Sequence, residues 1–233
     1  MDDLFPDLLN DNVILKTNSM KLQEKAAAQI YLAGFRKEEA TSSFRSLYSE
    51  MKGEQHAVVI KETCLAAHAT LSSPVASGHL RVIFPLAGSL QLTQANEFYS
   101  LVPGGSAALT QSYEIRNPYP KNEIHFLEID FACDFQKPEP HLFDLNSRNA
   151  LQPLIPLDDS AKLLIGKFDG RIDGFLSLSK EAEVFVFIIG GVFEVANRLL
   201  QEREGLWLNR ANELEFEGLA KEGIILILTQ PIK

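Results

Sequence analysis

From Gln29 onward the chain is a succession of short runs in which apolar side chains alternate with polar ones or follow one another without a break. Residues 30–35, 57–61, 80–86, 89–92, 107–110 and 124–131 each read as a β-strand, with turn-forming residues between them. A proline-studded stretch at 136–140 and a second proline pair, Pro153 and Pro156, interrupt the series. It resumes at 162–168, 174–179, 184–189, 192–195, 198–200, 205–208, 213–217 and 224–229. Short strands with turn signals at such intervals predict an all-β sandwich or barrel. Residues 184–189 and 224–228 are apolar at successive rather than alternate positions, which predicts strands buried on both faces. One face would fill a barrel and the other would pack on a partner. Residues 1–25 hold no sustained period and read as an arm, although 19–28 carries lysines, a glutamate and alanines that favour a short helix.

The second half repeats the first. Gly88-Ser89-Leu90-Gln91-Leu92 aligns with Gly191-Val192-Phe193-Glu194-Val195, a glycine followed by an alternating strand. Gly105 aligns with Gly205, and Lys121-Asn122-Glu123-Ile124 with Lys221-Glu222-Gly223-Ile224. Two similar β-units in tandem account for this, and a closed barrel lets each unit bury its apolar face and hide its edges. The division expected is an arm over 1–28, a first barrel over 29–135, a linker over 136–160 and a second barrel over 161–233.

Composition narrows the partners. The 233 residues are 45% hydrophobic and 23% charged, the balance of an ordinary soluble globular protein. A net charge of −9 repels polyphosphates, so nucleic acid is not an expected partner. The longest apolar run, 184–193, is half of the roughly 20 residues that cross a bilayer, so no membrane span is expected. Asp2, Asp3 and Asp7 stand where a secretory signal carries basic residues, and the expected location is the cytoplasm. Cys64 and Cys133 are too few for a disulfide framework and, beside apolar neighbours, read as reduced, buried thiols.

At this point the residues resemble a known family. Gly88 after its strand, Pro103-Gly104-Gly105, the spacing from Tyr113 to Asn117 and Ile124-His125-Phe126-Leu127-Glu128-Ile129 together resemble the cupin fold as used by pirin. Residues 184–195, Arg198-Leu199-Leu200, Glu204-Gly205-Leu206 and 213–219 are similar to the C-terminal cupin of pirin-like and quercetinase-like proteins. The resemblance runs over roughly residues 29–231 and implies two tandem cupin barrels, double-stranded β-helices of the jelly-roll kind, packed together. It also implies a transition metal in the barrel, held by three histidines and a glutamate, with open positions for substrate or dioxygen.

The positions that should carry those ligands hold other residues. The His-x-His pair falls at Pro74 and Ala76, the general cupin glutamate at Arg81, the third histidine at Tyr113 and pirin's own glutamate at Ile115. Proline, alanine and isoleucine side chains offer no lone pair, and a guanidinium repels a dication. Neither a metal nor any other cofactor is therefore expected, and no catalytic residue is assigned. A replacement set using His79, His125 and Glu128 fails on strand parity, because Glu128 points away from His125. His125 shares parity with Leu127, Ile129 and Phe131 and reads as a buried imidazole on an apolar, interior face.

Arg81, Tyr113 and His125 are the candidate ligand-binding residues. An inward Arg81 needs a carboxylate, for which Glu114 is the nearby candidate, or else it awaits an anionic ligand; a one-residue shift in register would turn it to solvent instead. The fifteen phenylalanines would line a pocket for an aromatic ligand or simply pack the barrels. Glu213, Glu215 and Glu217, two residues apart, read as a solvated strand face. The function expected is a pirin-like bicupin without the family's metal, working as a small-molecule-binding or regulatory module. The alternatives are a quercetin 2,3-dioxygenase-like enzyme using iron, copper or nickel, and a regulator that acts through contacts with a protein partner.

Overall fold

The computed structural model describes residues 27–133, 140–157 and 161–232, which form nineteen strands and one 3-10 turn at Ala33–Phe35. The first barrel comprises, after an N-terminal β1 (Ala28–Tyr31), the strands β2 (Lys37–Ala40), β3 (Phe44–Lys52), β4 (Ala57–Leu65), β5 (Thr70–Ser73), β6 (His79–Ala87), β7 (Leu90–Gln94), β8 (Glu97–Leu101), β9 (Gly105–Leu109), β10 (Tyr113–Arg116), β11 (Ile124–Ala132) and β12 (His141–Leu142). The second comprises β13 (Ala150–Ile155), β14 (Lys162–Phe168), β15 (Ile172–Gly190), β16 (Phe193–Val195), β17 (Arg198–Leu200), β18 (Gly205–Gly218) and β19 (Gly223–Pro231). All named strands pair antiparallel. No helix among the described residues is long and apolar enough to cross a membrane.

The repeat read from the sequence is a repeat of topology. The order β9-β6-β11-β4 in the first unit corresponds to β18-β15-β19-β14 in the second. Gly88 and Gly191, aligned above, both have positive φ, at 76° and 82°. A Cβ at Gly191 would also lie 2.8 Å from the Gly223 backbone, so two reasons converge on glycine there. The hairpins β7–β8 and β16–β17 turn on equivalent Ala-Asn pairs, Ala95-Asn96 and Ala196-Asn197, with positive φ at both residues as a two-residue primed turn requires.

The boundaries differ from the division expected from sequence in two places. β1 pairs with β18, Ala28 opposite Leu208, so the start of the chain's described part is stitched into the second barrel's sheet. The segment expected as a linker supplies β12 to the first barrel, against β9, and β13 to the second, against β14. The helix expected over 19–28 lies outside the described residues except at Ala27 and Ala28, where Ala28 begins β1; of the proline-rich stretch 136–140 only Pro140 is described.

Three apolar clusters hold the molecule together. Ile83, Leu92, Leu109, Ile115 and Phe126 fill the first barrel. Val184, Val186, Phe193, Leu206, Phe216 and Ile227 fill the second, and their side chains are fully or almost fully buried. Between them Val82, Phe84, Leu127 and Ile129 meet Phe185, Phe187, Trp207 and Leu226. The uninterrupted apolar runs of β15 and β19 are thus explained: even and odd positions are buried in different cores. Burial of a large apolar side chain contributes about 1.5–3 kcal/mol, so the seam between the barrels is as much a core as either interior.

Candidate functional site

Strand alternation sorts the polar residues of β11. Phe126, Glu128 and Asp130 share one face, and Phe126 belongs to the core of the first barrel. His125, Leu127, Ile129 and Phe131 share the other, and its apolar members pack into the seam. On the neighbouring β6 the same rule turns Arg81 and Ile83 inward and Leu80, Val82 and Phe84 to the seam. β10 turns Tyr113 and Ile115 inward and leaves Glu114 exposed.

Register then brings the inward polar residues together. Arg81 lies opposite Asp130, and Tyr113 opposite Ser73. The guanidinium donates from Nε and Nη2 to Asp130 Oδ2, at 3.0 and 2.7 Å. Its Nη1 donates to Ser73 Oγ at 2.8 Å and to the Tyr113 hydroxyl oxygen at 3.0 Å, and lies 3.9 Å from Glu128 Oε1. The Tyr113 hydroxyl in turn donates to Glu128 Oε1. At the outer end His79 Nδ1 meets Asp130 Oδ1 at 2.7 Å. The result is one connected chain, Glu128–Tyr113–Arg81–Asp130–His79, that runs from a side chain 3% exposed to one 37% exposed.

Burial sets the electrostatics of this chain. Desolvation pushes the Glu128 carboxyl above its ordinary value, against the hydrogen bond from Tyr113 and the nearby Arg81 charge. Desolvation and the Glu128 charge push the Tyr113 phenol up as well. For Arg81, burial pulls down, but Tyr113, Glu128 and Asp130 outweigh it and hold the guanidinium charged.

Of the three candidates, the structure brings Arg81 and Tyr113 into contact and places His125 elsewhere. The His125 Nε2 is 2.8 Å from Glu62 Oε1 on the opposite face of the sheet. The face read as interior is therefore the one turned to the second barrel. Parity alone did not distinguish the two, because both faces of β11 are buried. Glu62 is also bound by Arg36 Nη1 at 2.6 Å and by Arg203 Nη2 at 2.7 Å, and Arg203 comes from the second barrel. This is a clamp across the seam. A second clamp is Glu183, fully buried, which accepts from the backbone N–H groups of Glu54 and His56 in the first barrel and from Trp207 Nε1.

The carboxylate that partners Arg81 is Asp130, not the expected Glu114, since β10 alternation sends Glu114 outward. Pro74 and Ala76 are exposed in the turn between β5 and β6. Asn117, four residues after Tyr113, is buried and donates to the carbonyls of Leu65, Ala66 and Asn122, so it pins the loop before β11. Asp130, Ser73 and Glu62 were not singled out from the sequence. The signal for Asp130 was present in its parity with Glu128, but its partner became evident only with the pairing of β6 and β11. A separate cleft of about 420 Å3 opens on the outer face of the second barrel, beside Asp173, Phe175, Glu194, Glu215 and Glu217. That placement agrees with the reading of the glutamate series as a solvated face.

Comparison with known proteins gives the fold its family resemblance. No protein-family model matches the sequence, and no curated protein matches it by sequence. Among solved structures, the bacterial pirin YhhW from Escherichia coli in complex with nickel(II) superposes with a TM-score of 0.74 at 11% identity, over 88% of this chain and 100% of that one. The protein Ylba from Escherichia coli does so with a TM-score of 0.66 at 8% identity, over 89% and 92%. AerE from Microcystis aeruginosa has a TM-score of 0.61 at 12% identity, over 85% and 97%. The chain has the pirin-like bicupin fold.

Such a fold implies a metal in the barrel, and the side chains present do not fit one. The centre of the inward polar cluster is a guanidinium, hydrogen-bonded on three nitrogens and permanently charged. Ile115, buried beside Tyr113, has no donor atom. Among the described residues no group of three or more His, Cys, Asp or Glu side chains is arranged to hold an ion.

Proposed function

We propose that this protein is a non-catalytic pirin-like bicupin in which the first barrel is sealed by an arginine-centred network, and that it acts as a binding or regulatory scaffold. The observation that carries this reading is the position of Arg81, whose Nη2 lies 2.7 Å from Asp130 while its Nη1 reaches Tyr113 and Ser73. A buried cation that already has its carboxylate leaves neither coordination sites for a metal nor an unpaired charge to recruit a small anionic substrate. The second barrel supports the same reading, because its interior is packed with aliphatic and aromatic side chains. A quercetinase-like dioxygenase is disfavoured by the chemistry of these residues: each inward position that should supply a ligand supplies a cation, a phenol or a hydrocarbon.

The test is metal content together with oxygen uptake. Protein purified without chelators is analysed for iron, copper and nickel, and oxygen consumption is followed with quercetin before and after incubation with each metal. The expected result is substoichiometric metal and no turnover. Stoichiometric metal with quercetin-dependent oxygen uptake would overturn the reading.

A further inference from the structure

We propose that the protein associates with a second copy of itself as a two-fold symmetric dimer, in which the open edge of β8 pairs antiparallel with β8 of the other copy.

The four-stranded sheet of the first barrel runs β5-β10-β7-β8, which leaves β8 with a neighbour on one side only. β8 turns back from β7 at the two-residue primed turn described above, with Gln94 opposite Glu97. In such a hairpin the closing pair is hydrogen-bonded. Glu97, Tyr99 and Leu101 therefore bond to β7, and Phe98 and Ser100 turn their N–H and C=O groups to the open side. An open edge is a template for another strand, and edges that stay unpaired are blunted by short length, charge, proline or a bulge. β2, β12, β13 and β17, also at sheet edges, carry such devices. β2 is Lys37-Glu38-Glu39-Ala40, β12 has two residues, and β13 holds Pro153 and a break in register. β17, the counterpart of β8 in the second barrel, has three residues and begins with Arg198. β8 has five residues and contains no lysine, arginine, proline or bulge.

The order of residues along this edge selects a second copy as its occupant. Alternation puts Tyr99 and Leu101 on the core side and Phe98, Ser100 and Val102 on the outer side, where Phe98 is 60% and Val102 50% exposed. The outer strip is apolar, small, apolar, and reads the same in both directions. Reversed on itself about Ser100, it sets Phe98 of each copy opposite Val102 of the other and Ser100 opposite Ser100. Both exposed apolar side chains then gain an apolar cross-strand partner, and no charge meets a like charge across the edge. Leu142 of β12, also exposed, stands against Gly105 beside Val102 and extends the apolar area at that end.

The test compares Ser100→Lys, Ser100→Cys and Phe98→Cys with the wild type, Cys64 and Cys133 being retained throughout so that the wild type is the blank for cross-linking. The wild type is expected to sediment as a dimer at micromolar concentration. Ser100→Lys sets two ammonium groups face to face and is expected to weaken the dimer by about tenfold or more. Its circular dichroism stays that of the wild type, because the position is exposed. Under mild oxidation Ser100→Cys gives a covalent dimer that a thiol reverses, since opposed Cα atoms lie about 5.5 Å apart, within disulfide reach. The two Phe98→Cys sites lie about 14 Å apart in this register and do not cross-link. A wild type that is monomeric throughout overturns the inference, as it would if the edge instead took up a strand of another protein. A dimer that Ser100→Lys leaves intact, or equal cross-linking at positions 98 and 100, overturns it as well. None of these readouts depends on the metal content of either barrel, so their failure is distinct from failure of the preceding reading.

Discussion

Arg81 and Asp130 face each other across β6 and β11 as a directly opposed pair, and two nitrogens of the guanidinium converge on one carboxylate oxygen, at 3.0 and 2.7 Å. The other oxygen of Asp130 is taken by His79. An inward arginine on a barrel strand is thus neutralised by the next strand, inside the same barrel, and needs no ligand from solution.

Removing one member of this pair will cost more than removing both. The two side chains are 18% and 12% exposed, and breaking a buried pair leaves an unpaired charge at a cost of about 3–5 kcal/mol. Asp130→Ala is expected to lose stability in that range in urea unfolding, whereas Arg81→Met combined with Asp130→Leu recovers most of the loss. Equal, additive losses from the two sites would show that the pair is not coupled.

Glu183 ties the barrels together at the β3–β4 turn. Its carboxylate accepts from three backbone N–H groups of the first barrel, those of Glu54, Gln55 and His56, and from the buried indole of Trp207, so Glu183→Ala leaves these donors unsatisfied, at about 1–3 kcal/mol for the buried indole and less for the part-buried amides. Amide exchange at Glu54 and His56 is the direct measure. Faster exchange there, with β7–β8 unchanged, is expected; an unchanged rate would mean that the turn holds itself.

Much of this architecture was legible in the residues. The β-runs, the tandem repeat and the doubly buried β15 and β19 follow from alternation and from aligned glycines. β3 was missed because Phe44-Arg45-Ser46-Leu47-Tyr48-Ser49-Glu50-Met51-Lys52 mixes apolar and polar residues on both faces, Met51 facing the seam and Ser46 buried against Thr63. Arg81 and Tyr113 were found through the ligand positions they occupy. Asp130 and Glu62 were not, because a carboxylate on a strand reads as solvated until its cross-strand partner is known. For His125 the parity was right, but the face read as the barrel interior is the one turned to the seam, where the imidazole is only partly buried against Glu62; two different cores lie on either side of β11, and alternation does not tell them apart.

Glu62 makes the seam sensitive to acid. Burial alone would raise its pKa, but hydrogen bonds from His125, Arg203 and Arg36 outweigh burial and hold the carboxyl well below the usual carboxylate range. A folded-state value below the unfolded one means that stability is present above the unfolded pKa of about 4.3 and is lost as pH falls through and below it. Glu62→Gln is therefore expected to be less stable than the wild type at neutral pH, with the gap narrowing as the solution is acidified below about pH 4. Urea unfolding as a function of pH reads this, and a gap that is constant with pH would remove Glu62 from the account.

Glu128 should behave in the opposite sense. Burial raises its pKa in the folded protein, so the folded state holds the proton more tightly than the unfolded chain does. Its contribution to stability is then fully present below the unfolded pKa of about 4.3 and is lost as pH rises from there through the folded value. Gln at this position keeps an oxygen to accept from Tyr113 and has no charge to acquire. Glu128→Gln is expected to match the wild type near about pH 4 and to become progressively more stable than it toward about pH 8, the reverse of the Glu62 trend. The same series of unfolding curves reads both variants, and Glu128→Gln losing ground to the wild type as pH rises would mean that Glu128 is ionised in the fold and paired with Arg81.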